Sequence, residues 1–359
     1  MGVELFLPTP KESKENLYNF EQSLNEILRG LRDPLVRMIV IKGLRRTGKS
    51  SLLRVALNES KYSYILIDMR EFDDISPKEF RRELTLVLRR ILSGKKRVIL
   101  DRIRAISFLG VKLDISSRRI TYRELLRKIN EIALRKNTCF VLAVDEAQEI
   151  YRLGFDKYLA FVYDNLRAIK LVLSGSQVGL LNNILNDPEA PLFGRARLEI
   201  DVEKLSREQS KEFLEMGFRA YNVTVPEEWV EKAVNTFNGI IGWLNLFGWY
   251  VVELKKPEIA FQKTLEEAKR LVSSELRKFL RTRGVAYDRY VLVLKILAES
   301  PKRWKEVKDL LWIKLRKKIS NNKVSRYLNE LRKYGFIKKE NGYYRIPDPL
   351  LAKTILEEF

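Results

Sequence analysis

Gly43-Leu44-Arg45-Arg46-Thr47-Gly48-Lys49-Ser50 fits the pattern G-x-x-x-x-G-K-[ST] without deviation. It lies between the apolar run Met38–Lys42 (MIVIK) and a helix-forming stretch, Ser51–Asn58. Strand, glycine-bracketed turn and helix form the context in which this pattern binds phosphate. Gly43 and Gly48 let the backbone curl so that successive N–H groups converge as an anion nest. The nest adjoins a helix N-terminus, whose dipole and free N–H groups favour negative charge. In this reading Lys49 reaches the β- and γ-phosphates of a bound nucleotide and the Ser50 hydroxyl ligates Mg²⁺. The nucleotide-lining set is Gly43, Arg45, Arg46, Thr47, Gly48, Lys49, Ser50 and Ser51. Arg45 and Arg46 point from the loop toward phosphate, a second subunit or solvent.

Downstream, Phe140-Val-Leu-Ala-Val144-Asp145-Glu146 is an apolar strand that ends in two acids. A carboxylate pair at the end of a buried strand is costly to desolvate unless it handles a cation or a proton. The expected roles are metal holding for Asp145 and, for Glu146, polarisation of the water that attacks the γ-phosphorus. A third run, Lys170-Leu-Val-Leu-Ser174-Gly175-Ser176, is placed beside the phosphate-loop strand in this class of protein. Ser174 or Ser176 then faces the γ-phosphate, or else Ser-Gly-Ser is a turn. Arg195 and Arg197 precede the last core strand. Either stabilises transition-state charge, with Arg195 the preferred candidate, or simply pairs with a structural carboxylate.

Five short apolar runs are strand candidates: Met38–Lys42, Tyr64–Met69, Cys139–Val144, Lys170–Ser174 and Leu198–Val202. Amphipathic segments alternate with them, which predicts an α/β core with a mainly parallel sheet covered on both faces. Ser76-Pro77-Lys78-Glu79 and Thr121-Tyr-Arg-Glu124 read as capping boxes that start helices. A basic insertion, Arg89–Arg119, separates the second and third strands.

After Val202 the strand signal stops. Ser206-Arg-Glu-Gln209 caps a helix, and helical periodicity continues through Trp229–Asn238, Trp243–Leu254 and Pro257–Leu280. The last stretch, Ala286–Phe359, carries 18 Lys/Arg against nine Asp/Glu. It reads as three helices and a hairpin, with Asn341-Gly342 as a type I′ turn signal. On the helix Ser320–Tyr334, Val324, Tyr327, Leu328 and Leu331 share one face; Asn322, Lys323, Arg326, Asn329 and Lys333 share the other. Helix, helix, basic helix and hairpin define a winged helix-turn-helix. Its expected nucleic-acid contacts are Lys323, Arg326, Asn329 and Lys333, with Lys338 and Lys339 on the wing. The alternative is a module that binds only protein. Three domains follow: a phosphate-loop core at 1–204 (with 1–35 as an N-terminal segment), a helical lid at 205–285 and the winged helix at 286–359.

Composition prunes other chemistries. Of 359 residues, 68 are Lys or Arg and 47 Asp or Glu, a formal charge of +21 that suits a polyanionic partner. Histidine is absent and Cys139 is the single cysteine. Ser-His-Asp triads, His-ligated zinc and haem, iron–sulfur clusters and intrachain disulfides are therefore excluded. The longest apolar region, Gly239–Val252, is too short for a bilayer span and reads as a buried helix. With no signal-peptide pattern at Met1–Pro10, a cytoplasmic location is expected. Association of the basic insertion with an acidic membrane surface is a minor alternative.

Together, GLRRTGKSSLL (43–53), VLAVDEAQEI (141–150), LVLSGSQVGLL (171–181), PLFGRA (191–196) and the terminal IPDPLLA (346–352) resemble the archaeal ATPase family, in the STAND-related branch of AAA+ proteins. The resemblance spans nearly the whole chain. It implies a RecA/AAA+-like P-loop core, ATP and ADP as ligands with Mg²⁺, ATP hydrolysis, and an N-terminal segment near the adenine, for which Glu21 is the candidate. It also implies a lid turn against the nucleotide, where the position expected to hold proline carries Ile241. The expected function is a nucleotide-gated switch acting on DNA or a protein partner, as monomer or oligomer. Two alternatives stand beside it: a DNA-binding transcriptional regulator with structural nucleotide, and a replication-initiator-like loader.

Overall fold

Strands that are apolar along their whole length must be sheltered on both sides, and the computed structural model builds that arrangement. It describes residues 4–72, 75–99, 103–107 and 120–359. The chain divides into two compact units. One comprises Pro10–Gly43 and Gly48–Val202; the other comprises Met1–Thr9, Leu44–Thr47 and Glu203–Phe359.

In the first unit the elements run α1 (Glu21–Arg32), β1 (Met38–Gly43), α2 (Lys49–Ser60), β2 (Ser63–Asp68), α3 (Pro77–Leu92), β3 (Arg97–Ile99) and β4 (Ile103–Ile106). Then come α4 (Tyr122–Arg135), β5 (Phe140–Asp145), α5 (Asp156–Asn165), β6 (Ile169–Gly175), α6 (Val178–Asn186) and β7 (Leu198–Val202). The sheet order is β3-β4-β2-β5-β6-β1-β7. The five strands expected from sequence form its parallel part, with β6 between β5 and β1. Val40, Ile67, Leu142, Val144 and Leu173 join a core with Phe80, Leu84, Leu126 and Leu159 from the helices. The alternate positions Ile39, Ile41, Val141 and Val172 are equally buried, so both faces are covered.

The antiparallel pair β3 and β4 was not anticipated. It lies in the basic insertion and extends the sheet through β4 against β2. Residues 100–102 and 108–119 of that insertion lie outside the described residues. Both predicted capping boxes form, Ser76 with Glu79 and Thr121 with Glu124. Lys170 on β6 buries its ammonium at the end of α1, donating to the carbonyls of Gly30 (3.1 Å), Asp33 (2.5 Å) and Val36 (2.9 Å). Gly30 lies in the last turn of α1, Asp33 is its C-cap and Val36 follows in the turn to β1, so the cation gathers carbonyls at the helix C-terminus, where positive charge complements the dipole. Nearby, burial pushes the Cys139 thiol up to about 11.

The second unit contains α7 (Arg207–Ala220), α8 (Glu227–Phe237), α9 (Ile241–Leu254), α10 (Pro257–Arg281) and α11 (Tyr287–Glu299). These are followed by β8 (Lys302–Arg303), α12 (Trp304–Leu315), α13 (Asn321–Lys333), β9 (Lys338–Glu340), β10 (Tyr343–Arg345) and α14 (Pro349–Glu358). The strands form a small sheet, β8-β10-β9. Asn341 (φ 49°) and Gly342 (φ 83°) both lie in the left-handed region, which the type I′ turn requires. The apolar segment read as a buried helix is α9, with Trp243, Leu244, Phe247 and Val251 inside. Helix α14 is a fourth helix where three were expected. Near the N-terminus, Phe6 is buried against Phe213, Phe218 and Tyr221. Gly217 and Gly248 make that seat possible, because a Cβ on either would lie within 2.4 Å of the Phe6 ring. Among the described residues, no helix is long and apolar enough to cross a membrane.

Candidate phosphate-binding site

The loop is shaped by its bracketing glycines. A Cβ on Gly43 would lie 2.3 Å from the Val202 carbonyl oxygen. Gly48, at φ 94°, is the left-handed N-cap of α2, a conformation strained for any residue with a side chain. Lys49 is the first residue of that helix and is buried. Ser51 Oγ accepts from the Lys11 backbone N–H at 3.1 Å. Ser50 Oγ donates to Asp145 Oδ2 at 2.6 Å, so the two proposed metal-holding groups, far apart in sequence, meet directly.

Around this pair the acids are organised by hydrogen bonds. Glu146 has φ 52°, a left-handed conformation that costs a non-glycine residue about 1–3 kcal/mol and that clusters at functional sites. Its carboxylate Oε2 accepts from Ser176 Oγ at 2.7 Å and from Gln148 Nε2 at 2.6 Å. The Asp145 carboxyl is pushed above its ordinary value, first by burial and then by the neighbouring Glu146, with the Ser50 hydrogen bond opposing. Ser174 Oγ is fully buried and has no hydrogen-bond partner among the described residues. A buried hydroxyl without a partner is costly, and this one sits at the end of β6, in register with Ile41 of β1.

Sequence reasoning missed three members of this cluster. Asp68 ends β2 in register with Asp145. Arg70 donates to Asp68 (2.9 and 2.5 Å) and stands 3.8 Å from Asp145, and these acids hold its guanidinium more firmly protonated. Gln148 fixes Glu146. The run YILID offered a signal for Asp68, a second apolar strand ending in an acid. Nothing local marks Arg70.

Arg45, Arg46 and Thr47 belong to the other unit. Thr47 is buried and its hydroxyl donates to the Leu44 carbonyl at 2.9 Å. Arg46 donates to Glu275 at 2.6 Å, and its guanidinium lies 4.3 Å from the Trp243 ring centroid. Its carbonyl accepts from Gly242 N at 2.9 Å. Arg45 pairs with the same Glu275 at 3.5 Å and lies over Phe336 at 5.3 Å. Trp243 in turn donates its indole N–H to Asp348 at 3.2 Å. Of the three destinations open to these arginines in sequence, phosphate, subunit or solvent, none names the one observed, a carboxylate and aromatic rings of the same chain.

Arg195 pairs with Asp164 (2.5 Å) and also donates to the Pro191 carbonyl; Arg197 pairs with Glu199 (2.7 Å). Both therefore have carboxylate partners. Glu21 is the exposed first residue of α1. In the winged helix, Val324, Tyr327, Leu328 and Leu331 are buried, while Asn322, Lys323, Arg326 and Asn329 are exposed and Lys333 is half-buried. On the wing Lys338 is tied to Glu340 at 2.8 Å and Lys339 lies over Tyr344.

The donor set fits a magnesium–triphosphate group. Ser50 and Asp145 offer hard oxygens, and Lys49 heads a helix whose free N–H groups favour phosphate. Among the described residues no group of three or more His, Cys, Asp or Glu side chains could hold a metal ion. A cation here would draw its remaining oxygens from the ligand and water, as Mg²⁺ does in nucleotide sites.

A parallel-dominated sheet with this strand order, a glycine-bracketed phosphate loop and a terminal winged helix define a P-loop fold of the ORC/AAA+-like type. The comparisons make the assignment specific: residues 17–247 match the ATPase domain predominantly from Archaea, and the chain belongs to that family. Residues 285–346 match the C-terminal winged helix-turn-helix domain of MCM proteins. Among solved structures, a Walker-type ATPase of Pyrococcus abyssi is 33% identical, with a TM-score of 0.81 over 98% of this chain and 99% of that one. The ORC2 protein of Aeropyrum pernix, solved as ADPNP–ADP complexes, is 12% identical with a TM-score of 0.66 over 97% and 95%. That second likeness concerns the fold. A search of curated proteins returned no match.

Proposed function

We propose that this protein binds and hydrolyses ATP with Mg²⁺ and works as a nucleotide-gated switch whose winged helix contacts DNA. The observation that carries the reading is the Ser50–Asp145 hydrogen bond with Glu146, fixed by Ser176 and Gln148, beside it. Bound Mg²⁺ would be held by Ser50 and Asp145 and would neutralise charge on the phosphates. Lys49 and the N–H groups at the start of α2 bind and orient the β- and γ-phosphates. Glu146 accepts a proton from the water whose oxygen attacks the γ-phosphorus, and ADP leaves. Ser174 supplies its unsatisfied hydroxyl to the γ-phosphate, and Arg70 tempers the charge of the acids. The core at 1–204, the lid at 205–285 and the winged helix at 286–359 are the proposed functional divisions.

Support comes from family membership, from the similar Walker-type ATPase and from the geometry of the acids. The test is a pair of variants measured for nucleotide binding and phosphate release. Lys49→Ala is expected to abolish ATP binding. Glu146→Gln is expected to bind ATP and turn over at least about a hundredfold more slowly, within the range general-base catalysis contributes. Undiminished hydrolysis by Glu146→Gln overturns the assigned base.

A further inference from the structure

The exposed indole of Trp312 sits beside a run of one-sided charge. From Lys314 to Asn329 the sequence contains six Lys or Arg and no acid. Trp312 is 48% exposed and Ile313 69% exposed, on the side of α12 away from its buried residues Val307 and Leu311. The Lys318 ammonium stands 5.7 Å from the Trp312 ring. Arg316, Lys317, Lys318 and Lys323 are exposed and carry no salt bridge among the described residues. On the wing, by contrast, Lys338 and Arg345 are both tied to Glu340. The uncompensated positive charge therefore centres on the α12–α13 turn rather than on the hairpin.

A large apolar ring held in water beside Lys318, with further exposed cations following in the chain, suits a partner with both an anionic chain and flat apolar faces. In a duplex the base faces are stacked away and only edges reach the grooves. An unpaired base offers its face, and aromatic stacking beside a basic track is how single strands are held. We propose that Trp312, with Arg316, Lys317 and Lys318, forms a binding surface for unpaired polynucleotide. This rests on the reading that the winged helix contacts DNA, and adds that the contact extends past the duplex-facing side of α13.

The experiment uses the full chain with labelled oligothymidine, oligouridine and a duplex of matched length, followed by fluorescence anisotropy. Trp312→Leu is expected to weaken single-strand binding about tenfold or more, while Trp312→Phe retains most of it. Duplex affinity, thermal stability and ATP turnover stay unchanged in both variants. The oligouridine arm asks whether a ribose strand is accepted as well; Trp312-dependent binding of either strand supports the proposal. Replacing Arg316, Lys317 and Lys318 with Ala is expected to flatten the log K–log salt slope for single strands by about 2, at about 0.7 per phosphate contact. A Trp312→Leu variant that binds single strands like the parent, or that weakens duplex and single strand alike, overturns the proposal. So does Trp312-dependent binding of polyglutamate in place of oligonucleotide, which would make the partner a protein. If neither nucleic acid binds at all, the DNA part of the proposed function falls as well; duplex binding indifferent to Trp312 sinks this inference alone.

Discussion

At Ser174 a single side chain carries a stability cost that the proposed phosphate contact would offset. Its hydroxyl is buried without a hydrogen-bond partner among the described residues, at the end of a strand whose preceding run Leu171–Leu173 is apolar. Removing an unsatisfied buried group relieves a desolvation cost of about 1–3 kcal/mol. Ser174→Ala is therefore expected to raise the melting temperature slightly while slowing phosphate release about tenfold or more, a loss typical of an interaction made in the transition state. Calorimetry alongside a turnover assay checks it; a destabilised variant with full activity would show that Ser174 is structural. At this scale much of the site was legible. Gly43, Gly48, Lys49, Ser50 and the Asp145–Glu146 pair announce themselves because phosphate and metal chemistry fixes residue type and spacing. Glu275 and Asp348 did not, because what they contact is set by tertiary packing and no local pattern encodes it.

The elements obeyed their punctuation where capping was strong. Ser76, Thr121 and Ser206 each form the reciprocal box that their spacing predicts, and Asn341-Gly342 makes the hairpin. The pair β3 and β4 was missed because its strands are short and lie in a charge-rich insertion, where period-2 alternation has little to show. Helix α14 was missed although Asp348-Pro349 is a legible start, with Asp348 accepting from Leu350 N at 2.9 Å. That cap also carries a pH signature. Burial raises the Asp348 carboxyl above its ordinary value, with Arg46 and the Trp243 indole opposing. A carboxyl raised by folding adds stability that is full below its unfolded pKa and is lost as pH rises through the folded value. Asp348→Asn removes this dependence, so the melting temperature of the variant minus that of the parent should climb from pH 4 to pH 7. A difference that falls instead would show that Arg46 stabilises the carboxylate more than burial penalises it.

For the chain as a whole, charge is the dominant physical property, and its constancy is as telling as its size. There is no histidine among the 359 residues, and the Cys139 thiol is displaced to about 11. Apart from an α-amino group and the carboxyls of Asp145 and Asp348, which burial raises, no side chain at its ordinary value changes ionisation between pH 6 and pH 8.5. Affinity for a polyanion such as heparin, at fixed ionic strength, is therefore expected to vary less than about twofold across that range, while falling steeply with salt. A strong pH dependence measured by titration at constant salt would show that the raised carboxyls of Asp145 and Asp348, or another perturbed group, control the interaction. Fold class and family were readable from five strands and a handful of motifs. The grouping of Leu44–Thr47 with Glu203–Phe359 was not, since contacts between segments so distant in sequence leave no periodic trace.

The ammonium of Lys170 has a consequence of a different kind. All three of its protons are donated to carbonyls at and just beyond the C-terminus of α1, so an acylating reagent meets a nucleophilic amine only after those bonds break and a proton is lost. The rate at which Lys170 is labelled by an amine-reactive probe, compared with surface lysines, thus becomes a clock for local opening of the sheet unit. Were a cell to acetylate this position, the mark would record chains caught open and would hold them so, because the neutral amide could not cap the same three oxygens.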